Sequence, residues 1–241
     1  MIVAERKPLE EIRRNLAGRK KVLVLGCGGC VTVCLTGGER QADMLASQLR
    51  TAAKVAGEPI EVTVRTPTRQ CDREFIDTLK ADVEAADAVV SLACGVGVQL
   101  MAEVYETKPV LPAVNTTFMG AHSGPGTWTE NCRGCGQCVL AETGGVCPVA
   151  RCAKSLINGA CGGTNKGKCE VSRDIDCAWY LIYKRLKARG DLSFLRAERE
   201  PLDWGKSSSG IRRTLVHAEV NDQALRRGAE NAEANPETTK K

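Results

Sequence analysis

Cysteine is the residue type in this sequence whose number and spacing most clearly indicate chemistry: there are thirteen in 241 residues. The string CRGCGQC, from Cys132 to Cys138 with Cys135 between them, has the C-x2-C-x2-C spacing that bacterial ferredoxins use for three ligands of a 4Fe-4S cluster. In those proteins the next cysteine precedes a proline, and here Cys147 precedes Pro148 after a longer interval. The spacing predicts a metal site and favours iron–sulfur over zinc.

The other cysteines of the second half leave the identity of a second site open. Cys152, Cys161, Cys169 and Cys177 could form a four-thiolate tetrahedral zinc site, which would be structural and redox-silent. They could also hold a second cluster, since eight cysteines make two sites of four ligands.

Alternating strand and helix patterns must position the cysteines of the first half. Buried-strand runs cover residues 21–26, 60–66, 87–94 and 109–116, and helical patterns lie between them over residues 39–57, 72–86 and 96–107. Asp72 is placed to cap the second of these helices. This βαβαβαβ order predicts an α/β fold: a small doubly wound parallel sheet, flavodoxin- or Rossmann-like, with helices on both faces.

All five cysteines of the first half follow strands of this predicted sheet. Cys27, Cys30 and Cys34 follow the first strand, Cys71 comes just after the second, and Cys94 ends the third. Because ligands of such sheets bind at the carboxyl ends of the strands, we expect these thiols to converge on one edge. The pattern predicts a metal site there, and leaves open which of the five is not a ligand.

A nucleotide is the alternative ligand for the glycine loop after the first strand. The dinucleotide fingerprint G-x-G-x-x-G/A would use Gly26 and Gly28, but its third glycine position is Val31, and no acidic residue ends the second strand. The loop therefore favours metal over nucleotide. The two histidines, His122 and His217, are expected to have ordinary structural roles.

Residues outside the sheet fall into three further segments. Residues 1–20 form a predicted amphipathic helix before the α/β domain of residues 21–116. Residues 117–190 form a predicted cysteine-rich, ferredoxin-like domain, irregular and stapled by metal, that ends in a helix over residues 175–189. The apolar side of that helix should include Trp179, Ile182, Tyr183 and Leu186. Residues 191–241 form a polar extension, expected to be partly flexible or partner-bound.

Composition and charge narrow the class of protein. Residues 131–241 carry 19 Lys and Arg against 13 Asp and Glu, but aromatic residues make up only 4% of the chain. Because single-strand binders interleave aromatic and basic residues, the surplus favours compensation of thiolate charge over nucleic-acid binding. The absence of a secretory signal pattern and of an apolar run of roughly 20 residues predicts a cytoplasmic protein without membrane insertion. Clustered cysteines in that compartment indicate metal or redox chemistry.

Several of these strings together resemble the methylenetetrahydrofolate reductase C-terminal domain family. They are GCGGCVTVCLTGGERQ, SLACGVGVQ, PAVNTTFMG, NCRGCGQCVLAETGGVCPVARCAKSLINGACGG and GKCEV, and the resemblance covers roughly residues 18–190. The family occurs as a small subunit beside a flavin-containing reductase in acetogenic and related bacteria, or fused behind that reductase. The resemblance implies cluster ligands among the thirteen cysteines named above, with at least two and up to three 4Fe-4S clusters, and zinc as the alternative at one site.

The resemblance also implies a role as a non-catalytic subunit of an oxidoreductase. Electrons from a dehydrogenase or a ferredoxin-linked partner would pass through the clusters to FMN in the catalytic subunit, which reduces methylenetetrahydrofolate to methyltetrahydrofolate. A TIM barrel of the kind that carries this FMN takes roughly 250 residues, so the chain is expected to have no flavin or folate site. Two alternatives stay open: a zinc-binding assembly subunit of the same reductase, and a stand-alone ferredoxin-like carrier.

Overall fold

A computed structural model describes residues 1–197, 200–206 and 214–215. The chain divides into two compact units, Met1–Leu202 and Asp203–Lys241. None of the helices within the described residues is both long and apolar enough to cross a membrane.

The strands and helices of the first unit follow each other in a mixed order. The strands are β1 (Ile2–Arg6), β2 (Lys21–Leu25), β3 (Glu61–Arg65), β4 (Ala88–Ser91), β5 (Val110–Pro112), β6 (Val114–Gly124) and β7 (Thr127–Cys132). The helices are α1 (Leu9–Asn15), α2 (Cys30–Val33), α3 (Glu39–Val55), α4 (Arg73–Asp77), α5 (Lys80–Ala85), α6 (Gly95–Val104), α7 (Pro148–Arg151) and α8 (Ala178–Arg189).

A four-stranded parallel sheet forms the centre of the α/β part, as the sequence predicts. Its strand order is β3-β2-β4-β5, and Val22 pairs with Val62 on one side and with Ala88 on the other. All three strand pairs are parallel, with Val89 of β4 beside Val110 of β5. The order reverses around β2, so the carboxyl ends of β2 and β4 border a switch point of the kind at which doubly wound sheets bind ligands.

Helices cover both faces of this sheet, because side chains alternate along each strand. Val22 and Val24 point to the face covered by α1 and α3, where Leu49 is buried. Leu23 and Leu25 point to the opposite face, where they pack with Ile76 of α4. The prediction of a parallel sheet with helices on both faces is therefore confirmed.

The predicted helix over residues 72–86 is in fact two short helices, α4 and α5. The carboxylate of Asp72 accepts the backbone N–H of Glu74 at 3.3 Å, so the predicted cap is confirmed. The break follows Thr78, whose hydroxyl donates to the carbonyl of Phe75 at 2.8 Å. A hydroxyl that bonds the preceding turn competes with continuation of the helical ladder, which the apolar periodicity alone does not reveal.

The prediction of a single helix over residues 1–20 is wrong at its start. Residues Ile2–Arg6 form β1, which pairs antiparallel with β6, and the helix itself covers only Leu9–Asn15. Val3 and Ala4 of this strand are buried. The partner strand lies more than a hundred residues away, so local periodicity could not predict the pairing.

The expectation of irregular chain from residue 117 is wrong for residues 117–132, although residues 133–171 contain only the short helix α7 as regular secondary structure. The fourth strand of the parallel sheet is shorter than predicted. β5 ends at Pro112, and β6 then leaves the parallel sheet to form a second, antiparallel sheet of order β1-β6-β7. The turn between β6 and β7 contains Pro125 and Gly126, and Gly126 has φ +68°, a value that favours glycine. The turn joins β6 and β7 into a β-hairpin, in a segment that the sequence analysis predicts as loop.

A small hydrophobic core lies beside the cysteine-rich loops, and most of its residues belong to the predicted C-terminal helix. Val146 packs against Trp179, Ile182 and Leu186 of α8, and all four are buried. The predicted apolar side of this helix is confirmed for those three residues, whereas Tyr183 is 42% exposed.

Part of the predicted C-terminal extension is described. Short 3-10 helices cover Leu192–Leu195 in the first unit and Trp204–Lys206 in the second. The prediction for residues 198–199, 207–213 and 216–241, and for His217 among them, lies outside the described residues.

Candidate metal centres

Three cysteines lie at the carboxyl edge of the parallel sheet. Cys27 follows β2, Cys71 lies in the loop after β3, and Cys94 directly precedes α6. The pKa of the Cys71 thiol is raised, first by desolvation and then by the negative charges of Cys27 and Cys94. The structure therefore brings one cysteine from each of three neighbouring strands close enough to interact electrostatically.

The other two cysteines of this half occupy the loop and short helix after β2. Cys30 is the first residue of α2 and is half-buried, whereas Cys34 is fully buried. The Cys34 Sγ lies 3.7 Å from the carbonyl oxygen of Val31 and 3.5 Å from the hydroxyl of Thr36. The Cys34 thiol is thus hydrogen-bonded within its own loop.

A buried glutamine joins the three chain segments that carry Cys27, Cys71 and Cys94. The side-chain amide of Gln70 donates to the carbonyl oxygens of Leu25 at 3.2 Å and Gly26 at 2.7 Å, directly before Cys27. Its amide oxygen accepts the hydroxyl of Ser91 at 2.7 Å, at the end of β4. Gln70 and Ser91 have no exposed surface. Sequence reasoning missed both; the available signals were the position of Gln70 directly before Cys71 and the polar Ser91 within an apolar run.

Gly97 of α6 permits a close approach to this glutamine. A Cβ atom at Gly97 would lie 2.9 Å from the Cβ of Gln70 and 2.8 Å from the Cβ of Ala93, closer than carbon atoms pack without displacement. The first turn of α6, which Cys94 precedes, therefore rests directly on the Gln70 loop.

The CRGCGQC string forms the loop after the hairpin. Cys132 is the last residue of β7, and Gly134 and Gly136 have φ values of +62° and +80°, so the loop turns sharply between its cysteines. The backbone N–H of Gly134 points to the Cys132 Sγ at 3.4 Å, a contact of the kind that surrounds cluster sulfurs. Because α7 packs against β7, the helix that Cys147 precedes lies beside this strand.

Four further cysteines line one small cavity. Cys152, Cys161, Cys169 and Cys177 surround a space of about 20 Å³, together with Trp179. Two backbone hydrogen bonds fold the intervening loop on itself: Cys169 N–H to the Ile175 carbonyl at 3.0 Å, and Cys177 N–H to the Gly167 carbonyl at 2.8 Å. These are the four residues for which the sequence leaves open a four-thiolate zinc site or a second cluster.

A charged pair borders this cavity. The ammonium group of Lys154 is hydrogen-bonded to the Glu170 carboxylate, and the Cys161 Sγ lies 3.7 Å from the same carboxylate oxygen. The bond with Lys154 lowers the pKa of Glu170, and the bond with Glu170 raises the pKa of Lys154. The backbone N–H of Gly163 also points to the Cys161 Sγ, at 3.4 Å.

The donor set of the cavity fits a metal, although the sulfurs do not meet at one point. Among the described residues, no group of three or more His, Cys, Asp or Glu side chains has the geometry of a finished metal site. Four cysteines on one cavity are nevertheless the ligand set of structural zinc and of iron–sulfur clusters. Metal binding and the closing of such sites are coupled, so the four sulfurs need not meet at one point before a metal binds. The property to look for in the metal-free protein is that the four cysteines line the same cavity.

His122 lies in β6 of the hairpin, opposite Trp128. Its ring packs edge-to-face on Trp128 of β7, with ring centroids 5.9 Å apart.

Comparison with known proteins bears on the second half of the chain. Residues 111–205 match the model of a family described as methylene-tetrahydrofolate reductase C terminal. No curated protein and no solved structure matches the chain. The match includes the CRGCGQC loop and the four-cysteine cavity, while Cys27, Cys71 and Cys94 lie outside it. The family resemblance is thus confirmed for residues 111–205, which match a domain of the methylene-tetrahydrofolate reductase C-terminal type, whereas the resembling strings before residue 111 lie outside the match.

Proposed function

We propose that the chain is an iron–sulfur electron-transfer subunit of a methylenetetrahydrofolate reductase. It would pass electrons from a dehydrogenase or ferredoxin-linked donor to FMN in a catalytic subunit that reduces methylenetetrahydrofolate to methyltetrahydrofolate. The domain of residues 111–205 supports a reductase-related partner.

One observation carries the metal part of the proposal: four cysteines spread over residues 152–177 line a single cavity inside the family-matched domain. Cysteines that served only as small apolar side chains would not be expected to cluster around one cavity. All thirteen cysteines are free of disulfides in the structure, so all are available as thiolate ligands.

The surroundings of the thiols fit the same role. A 4Fe-4S cluster, when bound, exchanges single electrons at a potential that depends on local charge and on hydrogen bonds to sulfur. In this chain the N–H groups of Gly134 and Gly163 point to the sulfurs of Cys132 and Cys161. Such contacts stabilise the negative charge on sulfur and hold the ligand loops in place.

The flavin and the folate are assigned to the partner subunit in this proposal. A flavin-bearing TIM barrel is a (β/α)8 fold of about 250 residues. The parallel sheet of this chain has four strands instead, so the described residues match a carrier or docking subunit better than a barrel.

A specific observation favours zinc at the four-cysteine cavity. Its volume of about 20 Å³ is close to the roughly 10–15 Å³ that a single water molecule requires. A single ion needs a smaller rearrangement of the loops than an eight-atom cubane, although the four sulfurs do not meet at one point in the protein alone. The second candidate is therefore one zinc ion in this cavity, with iron–sulfur clusters at the CRGCGQC loop and at the sheet edge.

Metal and sulfide analysis of protein purified without oxygen tests the proposal. We expect iron and acid-labile sulfide, together with visible charge-transfer absorbance. The four-cysteine cavity should add either the iron of one further cluster or one zinc ion per chain. A colourless protein that contains zinc alone would overturn the electron-transfer role and leave the assembly role.

Co-purification tests the partner. Tagged chain isolated from its native host should retain a flavin-containing subunit, detected by FMN fluorescence after denaturation. Repeated isolation with clusters but without any flavoprotein would contradict the reductase assignment and favour a stand-alone carrier.

A further inference from the structure

We propose that an aromatic groove beside α8 is the docking site for the flavin-containing subunit, from which it takes an acidic segment with apolar side chains. The inference rests on the proposed function, because that function supplies the partner. The groove has a volume of about 750 Å³. Its walls include Trp179, Tyr180 and Tyr183 of α8, Phe194 and Leu195 of the following 3-10 helix, and Ala160 of the preceding loop.

The groove gathers a residue type that the chain otherwise uses sparingly. The sequence has three Phe, three Trp and three Tyr in 241 residues, and four of these aromatic residues line this one groove. Aromatic side chains are enriched in protein–protein interfaces, where Trp and Tyr often carry much of the binding energy. Their concentration here therefore indicates a binding surface.

Several of these side chains are exposed although they are largely apolar. Tyr180 and Tyr183 are each 42% exposed, and Phe194 and Leu195 are 38% and 37% exposed. The sequence predicts Tyr183 on the apolar side of α8, but it is not among the residues of the core that buries Ile182. Exposed apolar side chains that line one groove mark an interaction site, whereas single exposed ones need no explanation.

Contacts behind the groove hold its shape. The indole N–H of the buried Trp179 donates to the Leu156 carbonyl oxygen at 2.9 Å. The Tyr180 ring packs on Gly167, where a Cβ atom would lie 2.9 Å from the ring. Leu192, at the start of the 3-10 helix, packs against the core of α8. A surface that is shaped before binding loses less conformational entropy when a partner docks.

The charge around the groove selects the chemistry of the partner. The segments that line it, residues 158–164 and 179–197, carry five Lys and Arg against one acidic residue, Asp191. The Lys187 ammonium lies 5.8 Å from the centroid of the Tyr183 ring. Positive charge around apolar side chains is complementary to an acidic segment with apolar anchors. A second copy of this chain would bring the same positive surface and is disfavoured by repulsion.

The position of the groove in the chain connects this partner with the reductase. All the residues that line it lie within residues 111–205, the part of the chain that matches the reductase C-terminal family. Under the proposed function FMN belongs to the other subunit, so a surface of this chain has to contact that subunit for electrons to pass. The aromatic groove supplies such a surface.

Chemical cross-linking of the complex tests the contact directly. A water-soluble carbodiimide joins a lysine amine to a carboxylate that touches it, and mass spectrometry identifies the joined peptides. The sample is the tagged full chain, isolated from its native host together with the flavin-containing subunit. We expect cross-links from Lys184 and Lys187 to Asp or Glu of that subunit. Lys54 is the matched control, since it is exposed in the last turn of α3, and it should give none.

Two double variants measure how much the groove contributes to binding. Tyr183→Ala with Lys187→Glu removes an aromatic anchor and reverses one charge at the groove. Val55→Ala with Lys54→Glu removes an exposed apolar side chain and reverses one charge on α3. The Kd follows from the FMN retained per tagged chain over a dilution series. We expect the groove variant to raise the Kd about 10-fold or more, and the α3 variant to leave it unchanged.

The results distinguish failure of the inference from failure of the proposed function. A wild-type chain that never retains a flavin-containing subunit would overturn the proposed function and the docking site with it. A retained subunit with the same Kd in both double variants, or one cross-linked to neither Lys184 nor Lys187, would overturn the docking site alone. Cross-links from Lys187 to a second copy of this chain, or loss of the subunit after nuclease treatment, would also overturn it. Circular dichroism verifies the fold of each variant, and Tyr183→Ala alone keeps the test decisive if the double variant fails to fold.

Discussion

The buried amide of Gln70 should be a major source of stability for the edge of the parallel sheet, and Gln70→Leu tests this. Leucine is close to glutamine in size and keeps the apolar packing, but it removes all three side-chain hydrogen bonds of Gln70. The carbonyl of Leu25 keeps a partner, because it also accepts the backbone N–H of Leu92 at 2.8 Å. The carbonyl of Gly26 and the hydroxyl hydrogen of Ser91 lose theirs.

The expected cost follows from these two unpaired groups. A buried polar group left without a partner costs about 1–3 kcal/mol, so Gln70→Leu should lower the free energy of unfolding by roughly 2–6 kcal/mol. This is a large share of the 5–15 kcal/mol that holds an ordinary domain folded.

Urea denaturation followed by far-ultraviolet circular dichroism measures the change. Gln99→Leu is the matched control, because Gln99 is exposed on α6 and its side chain donates only to the Gly95 carbonyl, at 3.0 Å. The control should stay within about 0.5 kcal/mol of the wild type. If Gln70→Leu is no less stable than Gln99→Leu, the buried amide does not join the cysteine-bearing segments as argued here.

Three further outcomes are expected. Cys94→Ala should lower the iron content by one cluster and leave the CRGCGQC site spectroscopically intact. Cys34→Ala should keep the full iron content, because the Cys34 thiol is hydrogen-bonded within its own loop. Equal iron content in the two variants would refute this. Backbone N–H bonds from Lys21 and Lys20 lower the pKa of Asp87, so the contribution of this carboxylate to stability is present above its usual pKa of 3.8 and is lost as the pH falls through the lower folded value. The difference in unfolding free energy between wild type and Asp87→Asn should therefore shrink in acid, as measured by denaturation curves. A difference that grows in acid would contradict this sign. Ile182→Ala, at a fully buried position of α8, should cost about 2–5 kcal/mol in thermal or urea unfolding, and a neutral result would show that the core of the cysteine-rich segment contributes little.

The sequence was sufficient for the parallel sheet because each of its strands carries its own local pattern. Val22–Leu25 and Ala88–Val90 are buried on both faces, so these runs are apolar throughout and easy to recognise. The position of Cys27, Cys71 and Cys94 follows from the same rule, since the carboxyl ends of parallel strands share one edge.

The elements that the sequence did not predict depend on distant partners. β1 is a strand because β6 lies beside it, and nothing in residues 2–6 specifies that partner. Gln70 and the pair of Lys154 and Glu170 are likewise defined by contacts across 16 to 45 residues. Such contacts appear only when the fold is known, whereas regularly spaced cysteines are visible in the sequence itself.

The two cysteine groups differ in when they can form as the chain folds. Cys27 and Cys94 come together only after β2, β3 and β4 have paired through two crossover helices, and loop closure over such distances is slow. The cysteines from Cys152 to Cys177 lie on one segment that α8 and its own backbone hydrogen bonds close locally. Under the proposed function, the cavity beside Trp179 could therefore take up a metal on a chain whose sheet has not yet assembled, whereas the sheet edge could be loaded only on a folded chain.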